Sequence, residues 1–130
     1  MILKKRRAYL LGLRAETLAV LYLRATGWRI LARRYLASGG EIDVIAMRGT
    51  VVAFVEVKAR ANLDSAALSI TPDKARRMSR AARVWVSRNP WSMTRTLRGD
   101  AILMAPGKWP RRVVGGIEIV VCGEGVASSE

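Results

Sequence analysis

The alternation of apolar and polar residues changes period several times along the chain. Leu11, Ala15, Leu18, Tyr22 and Ala25 recur at helical spacing, and Gly27 follows as a C-cap signal, so a first helix is predicted over Leu11 to Ala25. Trp28 to Leu36 reads as a strand that runs into a Ser38-Gly39-Gly40 turn. Glu41 to Met47 and Val51 to Ala59 follow as two strands around Arg48-Gly49-Thr50, which predicts a hairpin. Ile42, Val44 and Ala46 make one face of the first of these strands, and Val51, Ala53, Val55 and Val57 one face of the second. Both faces are expected to turn to the core. Asp43 then lies opposite Phe54 or Glu56, depending on the length of the turn, and Glu41, Asp43, Glu56 and Lys58 emerge together on one face. A slip of one residue would separate them and bury charge.

Ala61 to Ser69 reads as a loop. Thr71 as N-cap and Pro72 at the first position open a second long helix, which Asn89-Pro90 ends. Ala75, Met78, Ala82, Trp85 and Val86 share one side of it, Arg76, Arg77, Arg80 and Arg83 the other, and Lys74 sits in the first turn. Leu97 to Ala105 and Val113 to Cys122 complete the pattern as a fourth and a fifth strand. The order predicts one α/β domain over residues 11–122, with a basic lead-in (1–10) and a small-residue tail (123–130).

Composition narrows the chemistry. Among 130 residues there are 23 Lys and Arg against 10 acids, a net charge of +13, which favours a polyanionic partner, nucleic acid before an acidic membrane surface. The basic residues concentrate on both sides of the hairpin, which is itself neutral. No histidine occurs, which removes Ser-His-Asp and Cys-His catalysis. One cysteine, Cys122, permits no intrachain disulfide and makes a zinc site untenable. The start of the chain resembles a secretory signal, but Arg14 and Glu16 interrupt it, and no stretch reaches the roughly 18 apolar residues of a membrane span. A cytoplasmic protein with no membrane partner is expected.

Hydrolytic chemistry in such a chain must use carboxylates, lysine and a hard metal ion. Two carboxylates about 4 Å apart repel by about 4 kcal/mol at an effective dielectric of ~20, so a sheet that carries such a pair is built for a cation. Asp43, Glu56 and the carbonyl of Val57 offer an oxygen site for Mg²⁺ or Mn²⁺. Lys58, two residues on and on the same face as Glu56, can hold an attacking water and oppose charge on a phosphodiester. The competing structural reading is an ion-pair ladder, Glu56 with Lys58 and Asp43 with Arg48 or Arg60. Glu16, the only acid in the first 37 residues, reads by itself as a surface glutamate paired with Arg14 or another nearby cation.

Gly40-Glu41-Ile42-Asp43 with Phe54-Val55-Glu56-Val57-Lys58-Ala59-Arg60 resembles the signature of the YraN family, small bacterial proteins related to Holliday-junction resolvases and to the PD-(D/E)XK nucleases. The resemblance runs from about Gly12 to Ile119 and includes Gly27-Trp28-Arg29-Ile30-Leu31 and the Arg98-Gly99-Asp100 strand start. It departs at Arg34 (asparagine expected), Ala59 (a small hydroxyl residue) and Gly99 (a bulky one). It implies a restriction-endonuclease-like core, α-β-β-β-α-β, with a central mixed sheet flanked by helices. It further implies a metal-dependent endonuclease acting on DNA, branched or structured, with Mg²⁺ or Mn²⁺ on Asp43 and Glu56 and Lys58 as the catalytic lysine. Glu16 would be the helix-borne acid of the same site. Lys74, Arg76, Arg77, Arg80, Arg83 and Arg60 are the expected phosphate contacts, and related resolvases suggest a homodimer. The alternative is a nucleic-acid-binding protein of this fold, for DNA or RNA, that does not cut.

Overall fold

The computed structural model describes residues 2–121, with side chains from Arg14 onward. Helix α1 (Ile2–Ala25) leads into strands β1 (Arg29–Ala37), β2 (Gly40–Arg48) and β3 (Val51–Ala59). A short helix α2 (Leu63–Leu68) and the long helix α3 (Pro72–Arg88) cross over to β4 (Thr96–Met104), and β5 (Arg111–Ile117) follows. The five strands form one mixed sheet in the order β1-β2-β3-β4-β5, with β3 and β4 parallel and the other neighbours antiparallel. The parallel pair follows from the crossover, because two strands joined through a helix enter the sheet from the same end.

Helices cover both faces, so the sheet has a core on each side. On the α1 face, Val44, Ala46, Ala53, Val55 and Ile102 pack with Ala15, Ala19, Val20, Leu23 and Trp28. On the α3 face, Ile42, Ile45, Val52, Phe54, Ala101 and Leu103 pack with Met78, Ala82, Trp85 and Val86. Phe54, Trp85 and Trp91 extend this second core by edge-on ring contacts at 5.8 Å. Burial on both sides explains why β2 and β3 read as nearly continuous apolar runs.

The hairpin turn is two residues long: Arg48 pairs with Val51, and Gly49 takes φ 61°, the left-handed value a type II′ turn needs at its first central position. By the same register Val44 faces Val55, which sets Asp43 opposite Glu56 rather than Phe54.

Several expectations need correction. Helix α1 starts at Ile2, so the helix expected from Leu11 also takes in residues 2–10 of the basic lead-in. Its core face carries Ala15, Glu16, Ala19, Val20 and Leu23, whereas Leu18 of the expected stripe is exposed. The expected loop at 61–69 contains α2, which Asn62 caps by accepting the Ser65 N–H at 2.8 Å. Strand β5 spans Arg111–Ile117 rather than Val113 to Cys122, and Cys122 and the tail lie outside the described residues.

Ile42 also does not share a face with Val44. It packs in the α3-side core with Ile45, while Val44 and Ala46 lie on the α1 side, so the alternation slips at Asp43. In β1 the register is irregular between Ile30 and Ala32, and Arg34, which the register sets opposite Asp43, has φ 50°. Asparagine tolerates that conformation best among residues with a side chain, which accounts for the asparagine expected at this position.

No helix among the described residues is long and apolar enough to cross a membrane.

Candidate functional site

Beyond Val44 and Val55 the β2–β3 ladder gives way, and a side chain replaces it. Asp43 Oδ2 accepts the backbone N–H of Val57 at 2.8 Å. This contact holds the Asp43 carboxyl over the end of β3, within hydrogen-bonding reach of Glu56. Glu56 is buried, 1% exposed, on the α3 face of β3. Its Oε2 lies 3.1 Å from Lys58 Nζ and 3.4 Å from Lys74 Nζ, and its Oε1 is buried without a hydrogen-bond partner. Lys58 follows on the same face by strand alternation, and Lys74 descends from the first turn of α3, where Thr71 Oγ1 accepts its backbone N–H at 3.2 Å.

Gly40 sets the depth at which α3 docks. A Cβ at this position would run into the Arg77 carbonyl oxygen and press on the Ala81 nitrogen. The helix backbone therefore rests directly on the start of β2, with Lys74 one turn before this contact.

Burial and the neighbouring Glu56 charge push the Asp43 carboxyl up to about 7, against the lowering effect of the Val57 N–H and the Lys74 charge. Near neutral pH Asp43 therefore carries a proton for part of the time, and the pair can share it. The remaining carboxylate charge faces two ammonium groups. A cation that displaces the proton would find two carboxyl groups and one orphaned oxygen. Among the described residues no group of three or more His, Cys, Asp or Glu side chains forms a metal cage, so any ion here would complete its shell with backbone oxygen, water or substrate.

The structure brings Asp43, Glu56, Lys58 and Lys74 together, and it distributes the other candidates elsewhere. Glu41 precedes the slip: its neighbour Ile42 belongs to the α3-side core, which turns Glu41 to the α1 face and away from Glu56. Glu16 is neither a surface residue nor a third acid on the pair. It is buried on α1 and bound by Arg33 Nη2 at 3.0 Å and Arg34 Nε at 3.1 Å. Lys74 is a partner of Glu56 rather than an open phosphate contact. Arg60 stands at the end of β3 and donates to the Ala59 carbonyl at 2.7 Å. On α3, Arg76 and Arg77 pair with Asp73 at 3.4 and 3.6 Å, so the arginine face is not free of acid. Arg80 donates to the Gly39 carbonyl at 3.2 Å and Arg83 to the Val120 carbonyl at 2.8 Å. Each of these two bonds uses one of five guanidinium N–H groups. Arg76, Arg80 and Arg83 border a groove of about 600 Å³ between α3 and the segment after β5, separate from the carboxylate pair.

Another buried acid, Asp100, lies on the α1 face. Arg98 holds it at 2.8 and 2.9 Å, the Gly115 N–H donates to it at 2.8 Å, and Arg48, Arg98 and Arg112 surround the Trp28 ring. Gly99 between them is forced by the end of β5 and the segment after it, where the Ile117 carbonyl and the Ile119 side chain leave no room for a Cβ. This cluster fastens β5 to β4.

The segment that spans these elements, residues 15–104, matches the family model described as Uncharacterised protein family UPF0102. The chain belongs to the UPF0102 family. Its UPF0102 relatives include a protein of Methylobacterium nodulans, 53% identical over 116 residues that cover 89% of this chain and 90% of the relative. A UPF0102 protein of Methylorubrum extorquens is 52% identical over 89% of this chain and 91% of its own length. One of Methylocella silvestris is 50% identical over 88% and 93%. The UPF0102 match includes Glu16, Asp43, Glu56, Lys58, Lys74 and Asp100, and it ends before the turn between β4 and β5.

Proposed function

We propose that this UPF0102 protein is a metal-dependent endonuclease with a restriction-endonuclease-like core, acting on DNA, branched or structured. The observation that carries the reading is the pairing of half-buried Asp43 with buried Glu56 beside Lys58, with Glu56 Oε1 unpartnered. A pair of acids in a basic protein costs folding free energy, and a phosphodiester needs a cation and a lysine at one place. The order α-β-β-β-α-β agrees with that of the nuclease superfamily, with α2 and β5 added.

The residues fit Mg²⁺ or Mn²⁺. Asp43 and Glu56 would hold the ion, and the Val57 carbonyl points towards the β2 side with its N–H, because both groups of a strand residue project to the same neighbour. The ion supplies a bound water of lowered pKa and a counter-charge for the phosphate. Lys58 is the cation at the solvent side of Glu56, placed to orient the attacking water and oppose charge on the scissile phosphate. Lys74 holds Glu56 Oε2, so the carboxylate keeps one orientation. The Arg76, Arg77, Arg80 and Arg83 row and Arg60 would bind backbone phosphates. A homodimer suits a branched and symmetric substrate, and a cytoplasmic site of action suits DNA.

A second reading is a DNA- or RNA-binding protein of the same fold that does not cut. What favours it is charge balance: with Asp43 protonated, Lys58 and Lys74 already neutralise Glu56 without an ion.

The deciding experiment incubates the purified protein with branched and linear DNA in Mg²⁺ or Mn²⁺. Cleavage that disappears in Lys58→Ala and in Asp43→Asn supports the nuclease. Salt-sensitive binding without cleavage, unchanged by either substitution, supports the second reading.

A further inference from the structure

Trp109 is 89% exposed at the turn between β4 and β5, the most exposed of the large apolar side chains among the described residues. A tryptophan in water forgoes about 2 to 3 kcal/mol of burial, and here the backbone keeps it there. Pro106 and Gly107, with φ 72°, form a turn closed by the Lys108 N–H on the Ala105 carbonyl at 3.1 Å, and Pro110 stiffens the other side of the indole. Such a turn presents the ring with little entropy left to lose on contact.

Its surroundings are cationic rather than apolar. Lys108 precedes Trp109 and Arg111 follows it by two residues, and both border a groove of about 240 Å³ beside the turn, together with Asn62, Leu63, Asp64 and Pro106. A protein-binding hot spot sits at the centre of a packed apolar patch, and the residues Pro106 to Arg111 supply no second large apolar side chain. The turn also stands at the end of the sheet that carries the carboxylate pair. Lys58 pairs with Leu103 and Leu103 with Arg111, so one row across β3, β4 and β5 runs from the candidate catalytic lysine to the cation beside Trp109. Two strand spacings separate their backbones, about 10 Å, within the reach of a few nucleotides.

We propose that Trp109, with Lys108 and Arg111, is a stacking platform for an unpaired base of single-stranded DNA that leads to or from the Asp43–Glu56 site. The flat indole stacks on the base, and the two cations hold the adjoining phosphates. This rests on the nuclease reading and narrows it: the substrate has a single-stranded arm next to the cut, as a flap, a gap or an opened junction does.

The test measures binding of labelled oligothymidylate and of a blunt duplex, both in EDTA, so that it does not depend on cleavage. Trp109→Ala is expected to weaken oligothymidylate binding by about tenfold while duplex binding changes less than twofold, and Trp109→Phe to keep most of the affinity. Tryptophan emission of the wild-type protein should be quenched by oligothymidylate, and the variant should lose most of that quenching. Equal affinities of wild type and Trp109→Ala for oligothymidylate, or an equal loss on both probes, would overturn the platform. So would a change of oligomeric state in Trp109→Ala, which would make the turn a contact between copies of the chain. Failure of the nuclease reading shows up separately, as a protein that binds oligothymidylate through Trp109 yet leaves flapped DNA intact in Mg²⁺ or Mn²⁺.

Discussion

Asp43 Oδ2 accepts the Val57 N–H at 2.8 Å, so a side chain takes the place of a ladder bond where β2 and β3 part. This one contact ties the conformation of an ionisable group to the pairing of two central strands. It also keeps two carboxyl groups together that would otherwise move apart, and the stored repulsion can be read out by changes of pH, of metal and of sequence.

The pH dependence has a definite sign. Asp43 is raised from 3.8 to about 7 in the folded protein, so the folded state holds a proton that the unfolded chain has released. The stability contributed by the Asp43 proton is present in full below pH 4 and is lost as pH rises towards 7. Asp43→Asn removes this loss while its side-chain carbonyl can still accept the Val57 N–H. The variant should gain on the wild type across that window, by about 4 kcal/mol, and level off above it. Urea unfolding at pH 5 and pH 8 (roughly the middle of the window and beyond it) measures the difference.

Metal and proton compete for the same pair. Mg²⁺ or Mn²⁺ should raise the melting temperature, with an apparent affinity that climbs up to about tenfold per pH unit below pH 7 and flattens above it. Asp43→Asn should abolish the shift. A thermal scan with and without EDTA is the check.

Lys74 and Lys58 bind the same oxygen of Glu56, but the two contacts predict different losses. Lys74→Met should cost about 1 to 3 kcal/mol of stability, because a buried carboxylate loses a partner. Lys58, at the more exposed position, should cost less on replacement by Met, while cleavage disappears. Denaturant midpoints and single-turnover cleavage, measured on both variants, separate the two roles.

Gly40 is replaceable only if α3 moves. Gly40→Ala should destabilise the protein by about 1 to 3 kcal/mol through overpacking against the Arg77 backbone, and the displacement should carry Lys74 off Glu56. Gly49→Ala, at a turn with open space around it, should cost only the backbone strain of a positive φ. Chemical denaturation of the pair distinguishes packing from turn geometry.

The arginine face of α3 gives an electrostatic prediction. Arg80 and Arg83 each keep four N–H groups beyond their carbonyl contacts. Replacing either with Gln should weaken DNA binding on all sequences alike and lower the slope of log K against log salt by about one. Titration of a labelled duplex at several salt concentrations reads the slope.

Much of this was local and therefore legible in the residues. Period-2 runs on either side of Arg48-Gly49-Thr50 mark the hairpin, Thr71-Pro72 marks the start of α3, and Glu56 and Lys58 share a face because strands alternate. Asp43 reached Glu56 through a register that apolar burial dictates. What the alternation could not show was its own slip at Asp43: Ile42 goes to the α3 core and Val44 to the α1 core where Arg34 of β1, at φ 50°, stands opposite Asp43. With both faces buried, an apolar run carries no mark of which residue turns which way. The surroundings of Glu16 and Lys74 were likewise decided only in three dimensions. Glu16 lies on the packed face of α1 because Arg33 and Arg34, brought by β1, neutralise it there. Lys74 meets Glu56 because the crossover lays α3 across β2 at a glycine. Residue types and strand periods determined the chemistry this chain can hold; the path of the backbone between distant strands and helices decided which charges meet, since a buried charge is set by partners that no local pattern names.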